Sequence, residues 1–305
     1  MRASIGAGAL ALALAFGAAE ARAGGTATGF NIESFKPVAD PFGYASVNGA
    51  RSLEALQPYA GAAVNWARNP IRFSADSDIA GGPDVVRDLT VLDLTLGLGV
   101  LSLGDGAGLS LGVDLPIVLE ENGLRLDDRS ARFDDQGLGA LRTDAKLTLL
   151  SRDGDGVPLG VAIRAFGEWK TGRERALLSD NGSNSFGATL ILEKRIGRLR
   201  LAAEGGYQWI DGRAAIVDFV IDDKLLLSGA AAFDIAEGFS VFGEVLHWTP
   251  IAAPWKDQRL APIELDVGLK YVGAHLSATI GGGLGLDRGV GAPDSRVFGM
   301  IGYRF

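Results

Sequence analysis

The chain contains no cysteine, only two histidines and, past its first 23 residues, no long apolar run. Without thiols, disulfide bracing and thiol catalysis are excluded. With His247 and His275 as the only imidazoles, few proton-transfer or metal-ligand schemes remain. No later stretch approaches the ~18 apolar residues that mark a spanning helix, so any membrane span must be built from strands. Positive charge is in deficit: 29 Lys and Arg stand against 37 Asp and Glu, a formal net charge of −8. That balance argues against nucleic acid as a partner. What the chain has in quantity is glycine, at 44 residues. Glycine on this scale without a period of three is not collagen-like, and it suits tight turns and closely packed strands.

The start reads as a secretory signal over residues 1–23. Arg2 supplies the positive region, Ile5 to Ala18 the apolar stretch and Ala21-Arg22-Ala23 a small-x-small cleavage site. The apolar stretch is shorter than the ~20 residues of a spanning helix. Residues 24–53 lack strong alternation and carry Pro37 and Pro41. A disordered lead, a lumen plug and a short hairpin at Tyr44 to Asn48 are all compatible with that. The expectation is a segment tucked into or against the inner mouth of the domain that follows, residues 54–305.

Period-2 alternation marks twelve strands in that domain. The first spans Leu56 to Arg68, with Pro58, Ala60, Ala62, Val64 and Trp66 on one face. The second spans Leu89 to Leu103, where Leu92, Leu94, Leu96, Leu98 and Val100 alternate with Asp93, Thr95, Gly97 and Gly99. The third sets Leu109, Leu111, Val113, Leu115 and Ile117 against Ser110, Gly112 and Asp114. The others run Leu141 to Leu150, Leu159 to Lys170, Phe186 to Ile196, Leu199 to Trp209, Lys224 to Asp234, Phe239 to Trp248, Ile263 to Tyr271, Leu276 to Gly285 and Arg296 to Phe305. Connections alternate between short turns, such as Gly197-Arg198, and long loops, such as Thr249 to Pro262. Short turns at one end and long loops at the other are the asymmetry of an outer-membrane barrel.

A soluble sandwich or lipocalin-like barrel would also alternate, with its apolar face turned inward. Here the opposite face is small and charged, and no second set of apolar positions is evident to fill an interior. The apolar face is therefore expected to meet lipid. The inward face then carries ten cations (Arg142, Lys146, Arg164, Lys170, Arg195, Arg200, Lys224, Lys270, Arg296 and Arg304) and ten anions (Asp93, Asp114, Asp144, Glu168, Glu193, Glu204, Asp234, Glu244, Glu264 and Asp266). Such balance implies a narrow lumen cross-linked by ion pairs rather than a charge-selective pore. Trp66, Trp169, Trp209, Tyr207 and Trp248 near the loop ends, and Phe239, Tyr303 and Phe305 near the turn ends, read as aromatic girdles.

Catalytic and metal sites find little support. No G-x-S-x-G elbow accompanies His247, and the two histidines fall at opposite ends of their strands. Asp153-Gly154-Asp155-Gly156 lacks the Glu that completes a calcium loop. Asp127, Asp128, Asp134 and Asp135 read as a solvated acidic loop. Gly281-Gly282-Gly283-Leu284-Gly285 sits inside a strand and is not a nucleotide loop. No cofactor is expected, and the chain does not read as an enzyme.

Several segments occur in an order that resembles a known family. They are Phe30-Asn31-Ile32-Glu33-Ser34-Phe35-Lys36-Pro37, Asn65-Trp66-Ala67-Arg68-Asn69-Pro70, Gly112-Val113-Asp114-Leu115-Pro116, Gly137-Leu138-Gly139-Ala140-Leu141-Arg142, Gly283-Leu284-Gly285 and Gly291-Ala292-Pro293-Asp294-Ser295-Arg296. Together they resemble the N-terminal barrel of the large OmpA-family proteins of myxobacteria and related deltaproteobacteria. The resemblance implies an outer-membrane location and a barrel fold, and supplies no catalytic residues. In that family calcium-binding repeats and a peptidoglycan-binding domain commonly follow. None follows Phe305, so peptidoglycan anchoring is not expected of this chain.

The sequence thus reads as an all-β, twelve-stranded antiparallel transmembrane barrel of a Gram-negative outer membrane, porin-like or structural. The expected lumen residues are Asp93, Asp114, Arg142, Asp144, Lys146, Arg164, Glu168, Glu193, Arg195, Arg200, Glu204, Glu244, Glu264, Asp266, Lys270 and Arg304. A transporter for small hydrophobic molecules is the alternative, with Phe166, Phe242, Leu246 and Phe298 as inward apolar candidates. Expected partners are membrane lipids and lipopolysaccharide, small solutes, and the barrel-assembly machinery through Ile301, Tyr303 and Phe305. Removing Phe305 should lower the folded, heat-modifiable fraction recovered from outer membranes. An unchanged folded fraction on unboiled gels would refute that role.

Overall fold

Alternating residues can pair into a sheet with two unlike faces, and a sheet with no free edge must close on itself. The computed structural model, which describes residues 31, 33–72, 84–104, 106–123, 136–151, 159–171, 184–211, 214–216, 219–287 and 289–305, is such a closed barrel. Its twelve strands are β1 Pro58–Arg72, β2 Asp84–Gly104, β3 Ala107–Gly123, β4 Leu141–Leu150, β5 Leu159–Trp169, β6 Ser185–Ile196, β7 Leu199–Ile210, β8 Lys224–Ala236, β9 Phe239–Pro250, β10 Ile263–Val272, β11 Leu276–Gly285 and β12 Ser295–Arg304. Each pairs antiparallel with its sequence neighbours, and β1 pairs with β12 from Tyr59↔Arg304 to Arg68↔Ser295. A two-residue strand, Gly137–Leu138, adds to β3 at the loop end. A small separate hairpin joins Ala214–Ile216 to Phe219–Ile221. No helix among the described residues is long and apolar enough to cross a membrane.

The twelve expected strands all form. β2 and β3 extend several residues further than alternation suggested, and the last strand ends at Arg304, one residue short of Phe305. The amide of Phe305 donates to the carbonyl of Pro58 at 3.1 Å, so both ends of the barrel chain meet at the turn end. There Gly197 and Gly238 close two-residue hairpin turns with φ of 59° and 73°, a region that costs a side-chain-bearing residue strain.

The faces separate by chemistry. Leu94, Leu96, Leu111, Val113, Ile163, Leu190, Val241, Val267, Leu269, Ile280, Val297 and Ile301 are all exposed on the exterior. Lys146, Glu168, Glu193, Glu244, Glu264, Asp266, Lys270 and Arg296 are all buried. A soluble barrel would invert this arrangement. An exterior so uniformly apolar is stable only against hydrocarbon. Aromatic clusters mark both ends of the wall. Trp169 meets Phe186 edge-on at 5.0 Å, and Phe186 stacks on Trp209 at 6.0 Å, at the loop end. At the turn end Phe239 lies 4.7 Å from Tyr271, and Tyr303 lies 4.9 Å from Phe305.

Trp248 corrects the sequence reading. It shares the inward parity of Phe242, Glu244 and Leu246, is buried, and carries the Lys224 ammonium 4.3 Å from its ring, so it is no girdle residue. Three inward phenylalanines also have a place the sequence did not disclose. Phe166, Phe242 and Phe298 pair across the ladder with Gly187, Gly268 and Gly281, and each ring lies where a side chain on that glycine would stand. The rings therefore lie against the wall instead of crossing the bore.

Val267→Arg should destabilise the folded barrel in liposomes by about 2–4 kcal/mol, the usual cost of a cation on the lipid face near midplane. Urea titration against the wild type measures this, and a neutral effect would place that face away from lipid.

Candidate functional site

The bore is occupied by the chain's own N-terminal segment. Phe35, Val38, Phe42, Tyr44, Ala45, Val47, Ala50 and Leu53 are buried inside the barrel. This is the interior apolar set that the sequence reading found missing. Phe35 packs on Phe298 with ring centroids 4.7 Å apart, and Tyr44 meets Phe242 edge-on at 6.5 Å. Ala45, Val47 and Leu246 complete the same cluster. Phe42, Leu53 and Tyr59 form a second, and Ala50, Ala162 and Ile191 a third.

The segment folds back on itself with few internal bonds. Val38 N–H donates to Ala45 O at 3.1 Å and Tyr44 N–H to Val47 O at 2.8 Å. The Asp40 carboxylate accepts the amides of Phe42 at 2.7 Å and Gly43 at 3.2 Å, forming an Asx turn. No strand forms at Tyr44 to Asn48, so the hairpin alternative does not hold.

Most of the segment's main-chain groups must find partners elsewhere, because a buried unpaired N–H or C=O costs ~1–3 kcal/mol. The wall supplies them. Glu244 accepts the consecutive amides of Ala45, Ser46 and Val47 at 2.9–3.2 Å. Glu204 accepts the Asn48 amide at 3.1 Å and its side-chain nitrogen at 3.1 Å, and Glu193 accepts the Ala50 amide at 2.9 Å. Cations take the carbonyls. Lys270 donates to Gly43 O at 2.6 Å and Tyr44 O at 2.8 Å, Lys146 to Gly49 O at 3.1 Å, and Lys224 to Asn31 O at 3.1 Å. Charge-assisted bonds of this kind are roughly twice as strong as neutral ones.

Segment side chains join the network too. Lys146 pairs with Asp40 at 2.5 Å and Lys36 pairs with Glu168. Arg296 binds Glu264 at 2.5 Å, Glu33 at 3.1 Å and the Asn65 carbonyl oxygen at 2.5 Å. Ser52 holds the exit of the segment, its amide 2.9 Å from Gly106 O and its hydroxyl 2.7 Å from Thr148 Oγ1.

The sequence-derived lumen residues fall into four groups. Lys146, Glu168, Glu193, Glu204, Glu244 and Lys270 contact the segment. Arg142 joins Asp93 at 3.0 Å and also Asp114, Arg164 lies 3.4 Å from Glu204, and Glu264 binds Arg296, so these link wall to wall. Asp144 is half-buried and Asp266 fully buried on the same inward parity. Arg200 pairs with Asp234 at 3.3 Å. Arg195, 45% exposed, pairs with Asp234 at 2.9 Å, and Arg304 donates to the carbonyls of Gly273 and Ala274. Those last three stand at the turn-end mouth. Ile301 and Tyr303 are exposed on the exterior, and Phe305 is exposed just beyond β12. Glu33, Lys36 and Asp40 were absent from the sequence-derived set. Their signal was present as charges interleaved with Phe35, Phe42 and Tyr44, a mixture that a disordered lead does not need.

Two cavities flank the segment. One of about 110 Å³ on the loop side is lined by Lys36, Arg142, Arg164, Phe166, Glu168 and Trp248, among others. The other, about 600 Å³, opens at the turn end. His247 engages both ring nitrogens: Nδ1 bonds the Pro262 carbonyl at 2.8 Å, and Nε2 accepts the Trp255 indole N–H at 2.9 Å. Outside the strands, hydrogen bonds from the Arg259 side chain hold the Asp257 carboxyl below its ordinary range. Among the described residues no group of His, Cys, Asp or Glu is arranged to hold a metal ion. The sequence features at residues 1–23, Asp127 to Asp135 and Asp153 to Gly156 lie outside the described residues.

A closed barrel with a lipid-facing exterior and a charged, filled bore defines an integral outer-membrane β-barrel protein. Among solved structures the chain is similar in fold to an outer membrane channel from Pseudomonas putida F1, with a TM-score of 0.67 and 14% identity over 86% of this chain and 100% of that one. The porins NanC (TM-score 0.47, 10% identity, 82% and 98% covered) and KdgM (0.46, 10%, 81% and 99%) also match, at scores too low to carry weight. No protein-family model matches the chain, and no curated protein matches it significantly.

Glu244→Ala should loosen the segment, because it leaves three amides, those of Ala45 and Val47 buried and that of Ser46 partly so, without an acceptor, a loss of roughly 1–3 kcal/mol. The cysteine-free background allows a direct reading. Ala45→Cys should label slowly with maleimide in the otherwise wild-type barrel and much faster when combined with Glu244→Ala. Equal rates would show that Glu244 does not hold the segment.

Proposed function

We propose that this protein is a porin-like passive channel whose conductance is set by its N-terminal segment. The observation that carries the reading is the way the segment is held. Residues 33–53 occupy the bore, yet no strand ladder joins them to the wall. The contacts are separate side-chain grips on main-chain groups, ion pairs and ring packing rather than a continuous ladder, so partial release does not break the barrel. Small solutes would pass where the segment shifts, between walls that carry both charge signs.

The hydrophobic-transporter alternative has less support. Phe242, Leu246 and Phe298 are packed against Phe35, Tyr44 and Val47, and the loop-side cavity that Leu246 also borders is lined largely by charged and polar residues such as Lys36, Arg142, Arg164 and Glu168. Phe166 lies beneath the Arg164 guanidinium, 4.8 Å from its centre. An enzymatic role is disfavoured by the engagement of both His247 nitrogens. Kinship with the OmpA-family barrels of myxobacterial type rests on the ordered motifs of the sequence, several of which fall at working positions: Glu33, Phe35 and Lys36 in the segment, Asn65 and Arg296 in its network.

Planar-bilayer recording of the refolded protein tests the reading. Wild type should show small or infrequent steps, and deletion of residues 33–50 should give a several-fold larger steady conductance. No current from the deletion variant, despite a folded barrel on unboiled gels, would overturn the channel assignment.

A further inference from the structure

From Gly43 to Ala50 each residue of the inner segment gives a main-chain group to a charged side chain of the wall. Lys270 donates to the carbonyls of Gly43 at 2.6 Å and Tyr44 at 2.8 Å. Glu244 accepts the amides of Ala45 at 3.1 Å, Ser46 at 2.9 Å and Val47 at 3.2 Å. Glu204 accepts the Asn48 amide at 3.1 Å, Lys146 donates to the Gly49 carbonyl at 3.1 Å, and Glu193 accepts the Ala50 amide at 2.9 Å. These gripping residues stand on β10, β9, β7, β4 and β6, so the barrel ladder fixes their spacing. No residue from Gly43 to Ala50 is charged, and Tyr44 carries the one ring among them. Extended peptides are commonly bound by adding a strand to a free sheet edge. A closed barrel has no such edge, and this one offers carboxylates for amides and ammonium groups for carbonyls instead. Consecutive amides converging on one anion are a feature of polypeptide, one that a sugar does not present.

We infer that the bore binds short peptides with small, uncharged side chains, held by their main chain in the place of residues 43–50. The inference rests on the channel reading above, since the segment must yield its place, and it names the class of solute that best repairs the wall when it does. Displacement takes a main-chain partner from each of three carboxylates and two ammonium groups in a confined bore, where a hydrogen bond lost by an ion is costly. A neutral peptide returns donors to Glu193, Glu204 and Glu244 and acceptors to Lys146 and Lys270 without adding charge.

Maleimide labelling of the full-length Tyr44→Ala/Ala45→Cys barrel tests this. Tyr44→Ala removes the ring that meets Phe242 and leaves the wall grips in place. The probe is an end-blocked octapeptide with the sequence of residues 43–50. At millimolar concentration, comparable with the effective concentration of a tethered segment, it should speed labelling saturably, roughly threefold or more. A scrambled octapeptide of the same composition should act nearly as well. The octapeptide N-methylated at the three residues matching Ala45, Ser46 and Val47 should have no effect. Unboiled gels establish folding, and Ala45→Cys alone serves if the double variant does not fold. No acceleration, equal acceleration by the N-methylated peptide, or acceleration by the native order alone would overturn the inference. Labelling requires no current, so its failure beside an intact conductance strikes the peptide reading and spares the channel.

Discussion

Closure is the constraint on which the molecule depends. In hydrocarbon an unpaired strand edge leaves a row of amides and carbonyls with no water to satisfy them, so the sheet must return to its own beginning. The ladder between β1 and β12 does this over ten residue pairs. Closing on twelve strands sets a width between the small barrels filled by side chains and the wide porins open to water. The inward phenylalanines make that space larger still, because they lie over glycines on the neighbouring strand. The result is a bore able to take in a folded-back peptide.

Once the peptide is inside, two problems answer each other. The wall charges face a confined interior where an ion without a partner is costly. The peptide brings main-chain groups that its own few internal bonds leave unmet. Carboxylates at Glu193, Glu204 and Glu244 meet amides, and Lys146, Lys224 and Lys270 meet carbonyls. The balance of charge in the bore is thus only partly a set of ion pairs. A second part is a reciprocal satisfaction of wall and segment, in which neither is fully solvated or fully paired without the other.

The barrel was legible in the sequence because lipid imposes a rule at every second residue, and Leu94, Leu96 and Leu98 obey it as plainly as Val297 and Ile301 do. The bore was legible only in part. Inward parity located Glu244 and Lys270 but gave no sign of what they hold, since Ala45 to Val47 are recognised through their amides and leave no side-chain pattern to read. Trp248 was misplaced because tryptophan near a strand end suggests a membrane interface, while its parity with Phe242 and Leu246 put it inside. Arg195 and Arg304 illustrate a different limit. At the ends of strands parity no longer separates the bore from its rim.

The glycine-for-ring pairing limited the thickness of the wall; the amide-for-carboxylate pairing limits something else. A grip on peptide amides does not read the identity of the residue that bears them. Ala45, Ser46 and Val47 offer Glu244 the same three donors that almost any tripeptide would, provided none is proline, which has no N–H. Selection acting on anchorage alone would therefore leave this stretch free to drift in side-chain character while the wall carboxylates stay fixed. In related barrels the same acidic residues could seat this stretch while its side chains vary as far as packing against Phe242 and Leu246 allows.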